Sequence, residues 1–145
     1  MKKLLPILAL SLLFISGCSI EDRIERREDR LTGTWIVEKA FFNRDGALFR
    51  DNITNEFRGD RVTFFPDYSL EYVAGNGEVF QGVWFIDAFR DREDDLEFTI
   101  DADFFDFRGD LAFRWVGEIT LLTENNFNVN IAERTGILRI RWDKL

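Results

Sequence analysis

The sequence predicts an all-β protein, an antiparallel up-and-down β-barrel of about eight strands. After Leu31, apolar and polar side chains alternate along short segments, as half-buried antiparallel strands require. Turn residues such as Asn43 to Gly46 and Gly75 to Gly77 separate these segments at intervals of about ten residues, and no long helical pattern interrupts them. Closure removes the exposed edges of such a sheet, so we favour a barrel over a β-sandwich.

Residues 1–17 have the layout of a secretory signal peptide. Lys2 and Lys3 precede an apolar run from Leu4 to Ile15, which is shorter than the about 20 apolar residues that span a bilayer. Small residues then lead to Cys18, the single cysteine of the chain. The sequence therefore predicts an exported protein with a leader at 1–17, a charged segment at 18–31 and a β domain at 32–145.

The segment "ISGC" at residues 15–18 resembles the bacterial lipobox. The resemblance implies cleavage before Cys18, a thioether-linked diacylglycerol on its sulfur and an acyl chain on its new amine. Several acyl chains anchor a protein stably, at about 0.8 kcal/mol per buried CH₂. Glu21 and Asp22 resemble the surface-export signal of some Gram-negative lipoproteins, so we expect a lipid anchor in the outer membrane, on its periplasmic side or at the cell surface. The alternative is an ordinary cleaved leader that leaves Cys18 as an unpaired thiol.

The charge balance excludes nucleic acid as an expected partner. Without Lys2 and Lys3, 17 of the 19 basic residues remain against 27 acidic ones, a formal charge of −10. Such a surface repels phosphate backbones, whose binding depends on neutralisation by basic side chains. A core without disulfides must hold the fold, and the 16 phenylalanines and four tryptophans supply its material.

The charged segment from Ile20 to Leu31 carries its apolar residues at helical spacing. Ile20, Ile24 and Leu31 fall on one face of a helix. We therefore interpret the segment as a tether that ends in a short amphipathic helix, with a disordered charged linker as the alternative.

Each predicted strand carries apolar residues at alternate positions. The alternation slips at Phe105, which predicts a bulge or bend, and Gly117 lies where strands often kink. In chain order, the alternating apolar positions are Trp35, Val37 and Phe41; Val62 and Phe64; Leu70 and Tyr72; Leu96, Phe98, Ile100, Ala102 and Phe104; and Leu111, Phe113, Trp115, Ile119 and Leu121.

The segment "LTGTW" at residues 31–35 resembles the first strand of the lipocalin superfamily. The resemblance implies that Gly33 lets the chain into the barrel and that Trp35 plugs its closed end. In lipocalins an arginine of the last strand packs across this tryptophan, a role that the resemblance gives to Arg139 or Arg141 through a cation–π contact. The long helix after the barrel and the Thr-Asp-Tyr loop motif of typical lipocalins are missing, so the resemblance extends to the barrel and not to a ligand class.

The residue types leave little material for catalysis. The chain has no histidine and its cysteine is expected to be acylated, so no Ser-His-Asp or Cys-His arrangement and no histidine-based metal site can form. Asp101, Asp103 and Asp106 offer a glycosidase-like acid pair, but the first two lie on the polar face of a predicted strand, where solvated carboxylates are expected. We expect a non-enzymatic protein without a cofactor.

Two further motifs are interpreted as turns. The acidic cluster from Asp91 to Asp95 offers oxygen ligands for Ca²⁺ but lacks an EF-hand spacing, and Arg90 and Arg92 compete for its carboxylates, so we predict a solvated hairpin turn and no metal. The sequence "FRGD" occurs at 57–60 and at 107–110. Arg-Gly-Asp acts in adhesion on exposed loop tips, but Gly-Asp is also ordinary turn chemistry, and two turns are the prediction.

Six aromatic residues form the candidate pocket of the predicted barrel. An eight-stranded barrel is just wide enough to be filled by side chains or to hold one small ligand, so these residues either line a cavity or plug it. The first hypothesis is a lipid-anchored envelope lipoprotein that binds a small apolar ligand. The alternative is a protein-interaction module whose filled barrel presents its loops to an envelope or host partner. The six residues are Phe80, Trp84, Phe98, Phe113, Trp115 and Phe127.

Overall fold

The computed structural model describes residues 19–145, so the predicted leader and Cys18 lie outside the described residues. Within them, one α-helix precedes nine strands, and a 3₁₀ turn at Thr54–Phe57 separates the second strand from the third. The elements are α1 Ile20–Leu31, β1 Gly33–Arg44, β2 Asp51–Asn52, β3 Arg61–Phe64, β4 Ser69–Val73, β5 Val79–Arg90, β6 Leu96–Phe105, β7 Leu111–Leu122, β8 Asn126–Glu133 and β9 Gly136–Lys144.

Eight of the strands form a closed antiparallel barrel. From β3 to β9 each strand pairs with the next, and β9 pairs with β1 along nearly its whole length. The other edge of β1 pairs with β3 near its beginning, and the two-residue β2 pairs with Phe41 and Phe42 farther along. The predicted up-and-down barrel is therefore confirmed, and the β-sandwich alternative is wrong.

Of the three register shifts in the described sheet, one falls where the pattern predicts it, and the others lie between Val37 and Lys39 and between Ile119 and Leu121. The register of β6 and β7 shifts between Phe104 and Phe105, which confirms the predicted bulge. Gly117 is buried, and a β-carbon on it would lie 2.7 Å from Cγ2 of Val129 on the neighbouring strand. At Gly82 a β-carbon would lie 1.8 Å from the carbonyl oxygen of Asp103, so only glycine lets β5 approach β6 at this point.

The charged segment forms the helix α1, which packs on the barrel. Ser19 caps it: its Oγ accepts a hydrogen bond from the Asp22 amide, and its own amide donates to Oδ2 of Asp22, both at 3.1 Å. Leu31 is fully buried, and Ile24 packs against the core. Among residues 19–145, no helix combines the length and the apolar character that crossing a bilayer requires.

Candidate functional site

The six predicted pocket residues all belong to one continuous hydrophobic core, in which their contacts differ. Phe80, Phe113 and Trp115 surround Tyr72 in the middle of the barrel. Trp84 and Phe127 pack at the closed end with Phe64 and Trp35, while Phe98 lies at the barrel end beneath a side chain of α1. Together with the rest of the core they are buried or half-buried, and the candidate pocket stays a prediction.

Aromatic rings pack against one another across the middle of the barrel. The Tyr72 ring centroid lies 5.7 Å from that of Phe104, 5.8 Å from that of Trp115 and 6.5 Å from that of Trp142. Phe104 stacks on Phe113 with centroids 4.3 Å apart. Edge-to-face and stacked pairs at these distances are in van der Waals contact, so a filled interior describes the barrel better than a ligand cavity does. Tyr72, Phe104 and Trp142 were missed as members of this cluster, although the strand alternation places the first two on the inner face.

One carboxylate is buried beside this cluster. Asp60 is only 6% exposed, and its Oδ1 accepts a hydrogen bond of 2.6 Å from the Gly75 amide. Its Oδ2 accepts from the Tyr72 hydroxyl. Burial, this hydrogen bond and the charge of Asp60 raise the pKa of Tyr72 far above its ordinary value. No pattern in the sequence singles out Asp60 as a buried residue.

The two "FRGD" segments are both turns, as predicted, but they differ in exposure. In the first, Asp60 points inward to Tyr72, so this copy does not present an adhesion tripeptide. In the second, the Asp106 carboxylate accepts hydrogen bonds from the amides of Arg108 and Asp110 at 2.8 and 3.0 Å, which closes the turn between β6 and β7. Only the second copy is a solvent-exposed tip.

The closed end of the barrel has the predicted tryptophan and a different cation. Trp35 is fully buried, and its Nε1–H donates to the carbonyl oxygen of Leu31 at 2.7 Å. The Lys144 ammonium lies 5.0 Å from the Trp35 ring centroid and donates to the Arg30 carbonyl at 3.1 Å. Gly33, just before the tryptophan, has a φ of 127°, which a side chain disfavours.

Arg139 and Arg141 do not pack on Trp35, so the prediction for these two residues is wrong. Strand alternation is the reason: Leu138, Ile140 and Trp142 face the core, which places the two arginines between them on the outer face. The Arg141 guanidinium lies 5.9 Å from the ring centroid of Phe41 instead. The same alternation, continued by one step past Trp142, identifies Lys144 as the inward cation.

Asp101 and Asp103, which were expected to be carboxylates on the polar face of a strand, form ion pairs on the outer face. Arg114 of β7 contacts Asp101 through Nη2 at 2.5 Å and Asp103 through Nε at 3.3 Å. The hydrogen bond and the charge of Asp101 raise the pKa of Arg114 above its ordinary value. Asp106 lies in the β6–β7 turn and accepts the hydrogen bonds described above. The three carboxylates are thus structural acceptors rather than a pair facing a cleft.

The acidic cluster between β5 and β6 forms the predicted hairpin turn. Oδ1 of Asp91 accepts hydrogen bonds from the amides of Glu93 and Asp95 at 2.8 and 2.9 Å. The three carboxylates bring oxygen atoms within 4.8 Å of one another. Because Asp91 already accepts two backbone hydrogen bonds, the cluster is explained by turn formation.

Apolar side chains cover part of the outer face of β5 and β7. Val83 and Phe85 of β5 and Leu111 and Val116 of β7 are each about half exposed, and Phe107 in the β6–β7 turn is 93% exposed. Asp101 pairs with Phe85 on one side and Val116 on the other, so these two apolar side chains lie in one row of the sheet with a carboxylate between them. We call the set Val79, Val83, Phe85, Phe107, Leu111 and Val116 the apolar wall.

All four arginines of α1 lie on one flank of the helix. Arg23, Arg26, Arg27 and Arg30 have the spacing i, i+3, i+4, i+7, which places them on one face. With Leu96 and Phe98 they line a groove of about 480 Å³, which we call the arginine groove. The guanidinium carbon of Arg27 lies 3.5 Å from the Phe98 ring centroid. Burial and the charges of Arg30, Arg23 and Arg26 lower the pKa of Arg27.

The comparisons with known proteins add no relative. No protein-family model matches the chain, and neither the curated proteins nor the solved structures contain a significant match. The lipocalin resemblance of residues 31–35 therefore stays a prediction that rests on those residues.

Proposed function

We propose that the protein is a non-enzymatic, lipid-anchored envelope protein that binds another protein through the apolar wall of its barrel. The single observation that carries this proposal is the wall itself, with Phe107 93% exposed at its tip. Large apolar side chains exposed together on one face are typical of interaction sites, whereas scattered ones are ordinary surface. In the apolar wall they stand on both sides of the ion-paired Asp101, Asp103 and Arg114. The barrel is closed, so binding here takes place through side chains rather than by strand addition to an edge.

The composition of the apolar wall supports a protein partner. The groove between β5 and the β6–β7 turn is lined by apolar side chains such as Val79, Val83 and Phe107 and by polar ones such as Gln81 and Arg108. Protein interfaces also combine apolar and polar side chains, with arginine enriched. Arg114 forms ion pairs with Asp101 and Asp103, which offsets one of the two negative charges within the wall and so lowers the cost of covering it.

The predicted lipid anchor confines the search to envelope and surface proteins. α1 begins at Ile20, two residues after Cys18, and it is packed on the barrel rather than forming a free tether. Lipidation of Cys18 would therefore hold the barrel close to the bilayer, within reach of membrane-associated partners.

Photo-crosslinking in the native envelope tests this function. A photoreactive amino acid at Phe85 is expected to yield a crosslink to one discrete protein. Phe107→Ser should abolish that crosslink because the ring would lie at the tip of the interface, while Phe49→Ser, an identical change at another exposed loop phenylalanine, should leave it intact. The absence of any crosslink, or its equal loss in both variants, would contradict the proposal.

A second candidate function, the carriage of a small ligand, is favoured by one buried donor. The indole Nε1–H of Trp142 is buried in the barrel without a hydrogen-bond partner among residues 19–145. A small molecule with an acceptor oxygen would satisfy it. Native mass spectrometry before and after organic extraction decides: a bound mass that is lost on extraction and in Trp142→Phe supports carriage, and a bare protein mass counts against it.

A further inference from the structure

The charged residues of α1 are separated by sign. At about 100° per residue, the four arginines occupy one flank of the helix and the five acidic residues the opposite one, with Ile24 and Leu31 packed on the barrel between them. On the acidic flank, Glu28 accepts a hydrogen bond of 3.1 Å from the hydroxyl of Tyr68. The helix therefore carries a concentrated positive charge on one side only, in a chain whose formal net charge is −8.

The arginine groove concentrates like charges, and three of its four arginines are not neutralised at close range within the described part of the chain. Among residues 19–145, no carboxylate forms an ion pair with Arg23, Arg27 or Arg30. Burial and neighbouring arginines are the causes that lower the pKa of Arg27, so its positive charge is held at an electrostatic cost. A charged side chain that is destabilised by burial and by like charges, and that lies in a concave site, is typical of a binding site for the opposite charge.

The side chains of the groove suit a phosphate group in particular. Guanidinium groups present planar, forked donors that match the oxygens of phosphate in pairs. Arg27 is fixed over the Phe98 ring at 3.5 Å, which orients one fork before any ligand arrives. Leu96 and Phe98 supply an apolar floor beside the arginines.

We propose that the arginine groove binds phosphate groups, and that its ligand is the phosphorylated headgroup of a membrane lipid. The position of the groove favours this source over a free phosphate. At about 1.5 Å per residue, Arg23 lies about 5 Å along α1 from Ile20 and Arg30 about 15 Å, so an anchor at Cys18 would place the first turns of the helix at headgroup depth.

The phosphate chemistry rests on the groove alone, and only the choice of source rests on the predicted anchor. The inference is also independent of the apolar wall, since β5 and β7 carry the wall on their outer face while the groove lies between α1 and the start of β6. Failure of one proposal leaves the other standing.

Binding is measured with a chain that begins at Ser19, so that acyl chains cannot cause membrane attachment. Such a chain retains the capping box, the closed barrel and every residue of the described core. Two probes separate the sources: inorganic pyrophosphate by calorimetry, and phosphatidylcholine vesicles with or without phosphatidic acid by flotation. Both are measured at low and at physiological salt, because charge contacts weaken with salt.

The test variant is Arg23→Gln/Arg30→Gln, which leaves Arg27 on Phe98. Each arginine near an anionic surface contributes about fivefold in affinity, so binding should weaken about 30-fold. The control is Arg58→Gln/Arg134→Gln, which removes the same charge at two exposed residues outside the groove and should change binding by about twofold at most. Circular dichroism confirms that both double variants remain folded.

Selective binding to the phosphatidic acid vesicles, lost in the test variant and kept in the control, supports the proposal. Binding of pyrophosphate without binding of these vesicles supports a phosphate site and overturns the lipid source. The absence of binding to both probes, or an equal loss in test and control variants, overturns the proposal as a whole, since attraction would then not depend on the arginine groove.

Discussion

Tyr72→Phe removes one hydroxyl from the middle of the barrel and leaves the ring contacts in place. The hydroxyl donates to Oδ2 of Asp60, a carboxylate that is 6% exposed and keeps only the amide of Gly75 as its other partner. A hydrogen bond to a charged group contributes about 1.5–3 kcal/mol, and its loss leaves a buried oxygen unsatisfied. We expect the free energy of unfolding to fall by that amount and the melting temperature by about 6–12 °C.

Urea and thermal denaturation followed by circular dichroism measure this loss. Tyr68→Phe is the matched control, because its hydroxyl also donates to a carboxylate, Glu28, but at the protein surface. An exposed contact of this kind is screened by water, so the control should lose much less stability than Tyr72→Phe. Equal losses in the two variants would refute the assignment of a buried, stabilising pair.

The pH dependence gives a second readout of the same pair. Burial, the hydrogen bond and the charge of Asp60 raise the pKa of Tyr72 in the folded state, whereas a tyrosine of the unfolded chain titrates near pH 10. Above about pH 10 the unfolded chain therefore binds fewer protons, and this contribution to stability, complete below that pH, decreases by about 1.4 kcal/mol per pH unit. The difference between wild type and Tyr72→Phe should shrink between about pH 10 and pH 11, and a constant difference would contradict the raised pKa.

The other predictions concern local geometry. Gly82→Ala should unfold the protein or lower its melting temperature by more than about 10 °C, because the new methyl group would lie 1.8 Å from the Asp103 carbonyl oxygen; calorimetry measures it. Ser19→Ala should remove the capping hydrogen bond from the Asp22 amide and speed amide exchange in α1, at a cost of about 1 kcal/mol, with unchanged exchange as the contrary result. Trp115→Ala should cost about 3–5 kcal/mol in urea denaturation because the ring is packed in the core, whereas a ligand-lining residue would affect binding more than folding.

Properties of the local chain could be predicted well. In β6 the residues Phe98, Ile100, Ala102 and Phe104 are all buried, as their spacing of two requires, because alternation is a property of the extended backbone itself. The break at Phe105 was visible for the same reason, since two adjacent large apolar residues cannot both face the core of a regular strand.

Properties that depend on distant contacts were not visible in the sequence. Asp60 can be buried because the Tyr72 hydroxyl and the Gly75 amide donate hydrogen bonds to its carboxylate. Both donors belong to other segments, so the residues near Asp60 in the sequence do not indicate its burial. The short β2 has no apolar pattern of its own and exists only because β1 pairs with it. In each case the missing information is which strand lies beside which.

The arginine groove falls between these two cases. The spacing of Arg23, Arg26, Arg27 and Arg30 is readable from the sequence, but a charged helix flank usually faces solvent. Only the packing of α1 against the barrel brings Phe98 beneath Arg27 and makes the flank concave. Arg139 and Arg141 differ from these arginines, because the alternation of side chains along β9 is sufficient to place them on the outer face without knowledge of distant contacts.

The pairing of β1 with β9 has a consequence for the order in which the protein folds. These strands are the first and the last of the barrel, and they join Trp35 to Lys144 across nearly the whole described chain. Contacts so distant in sequence make folding slow, because the loop between them must close before they form. In a chain that emerges from a membrane pore with its amino terminus first, β1 would wait with one unpaired edge until the last residues arrive, so this edge is where a folding chaperone would be needed most.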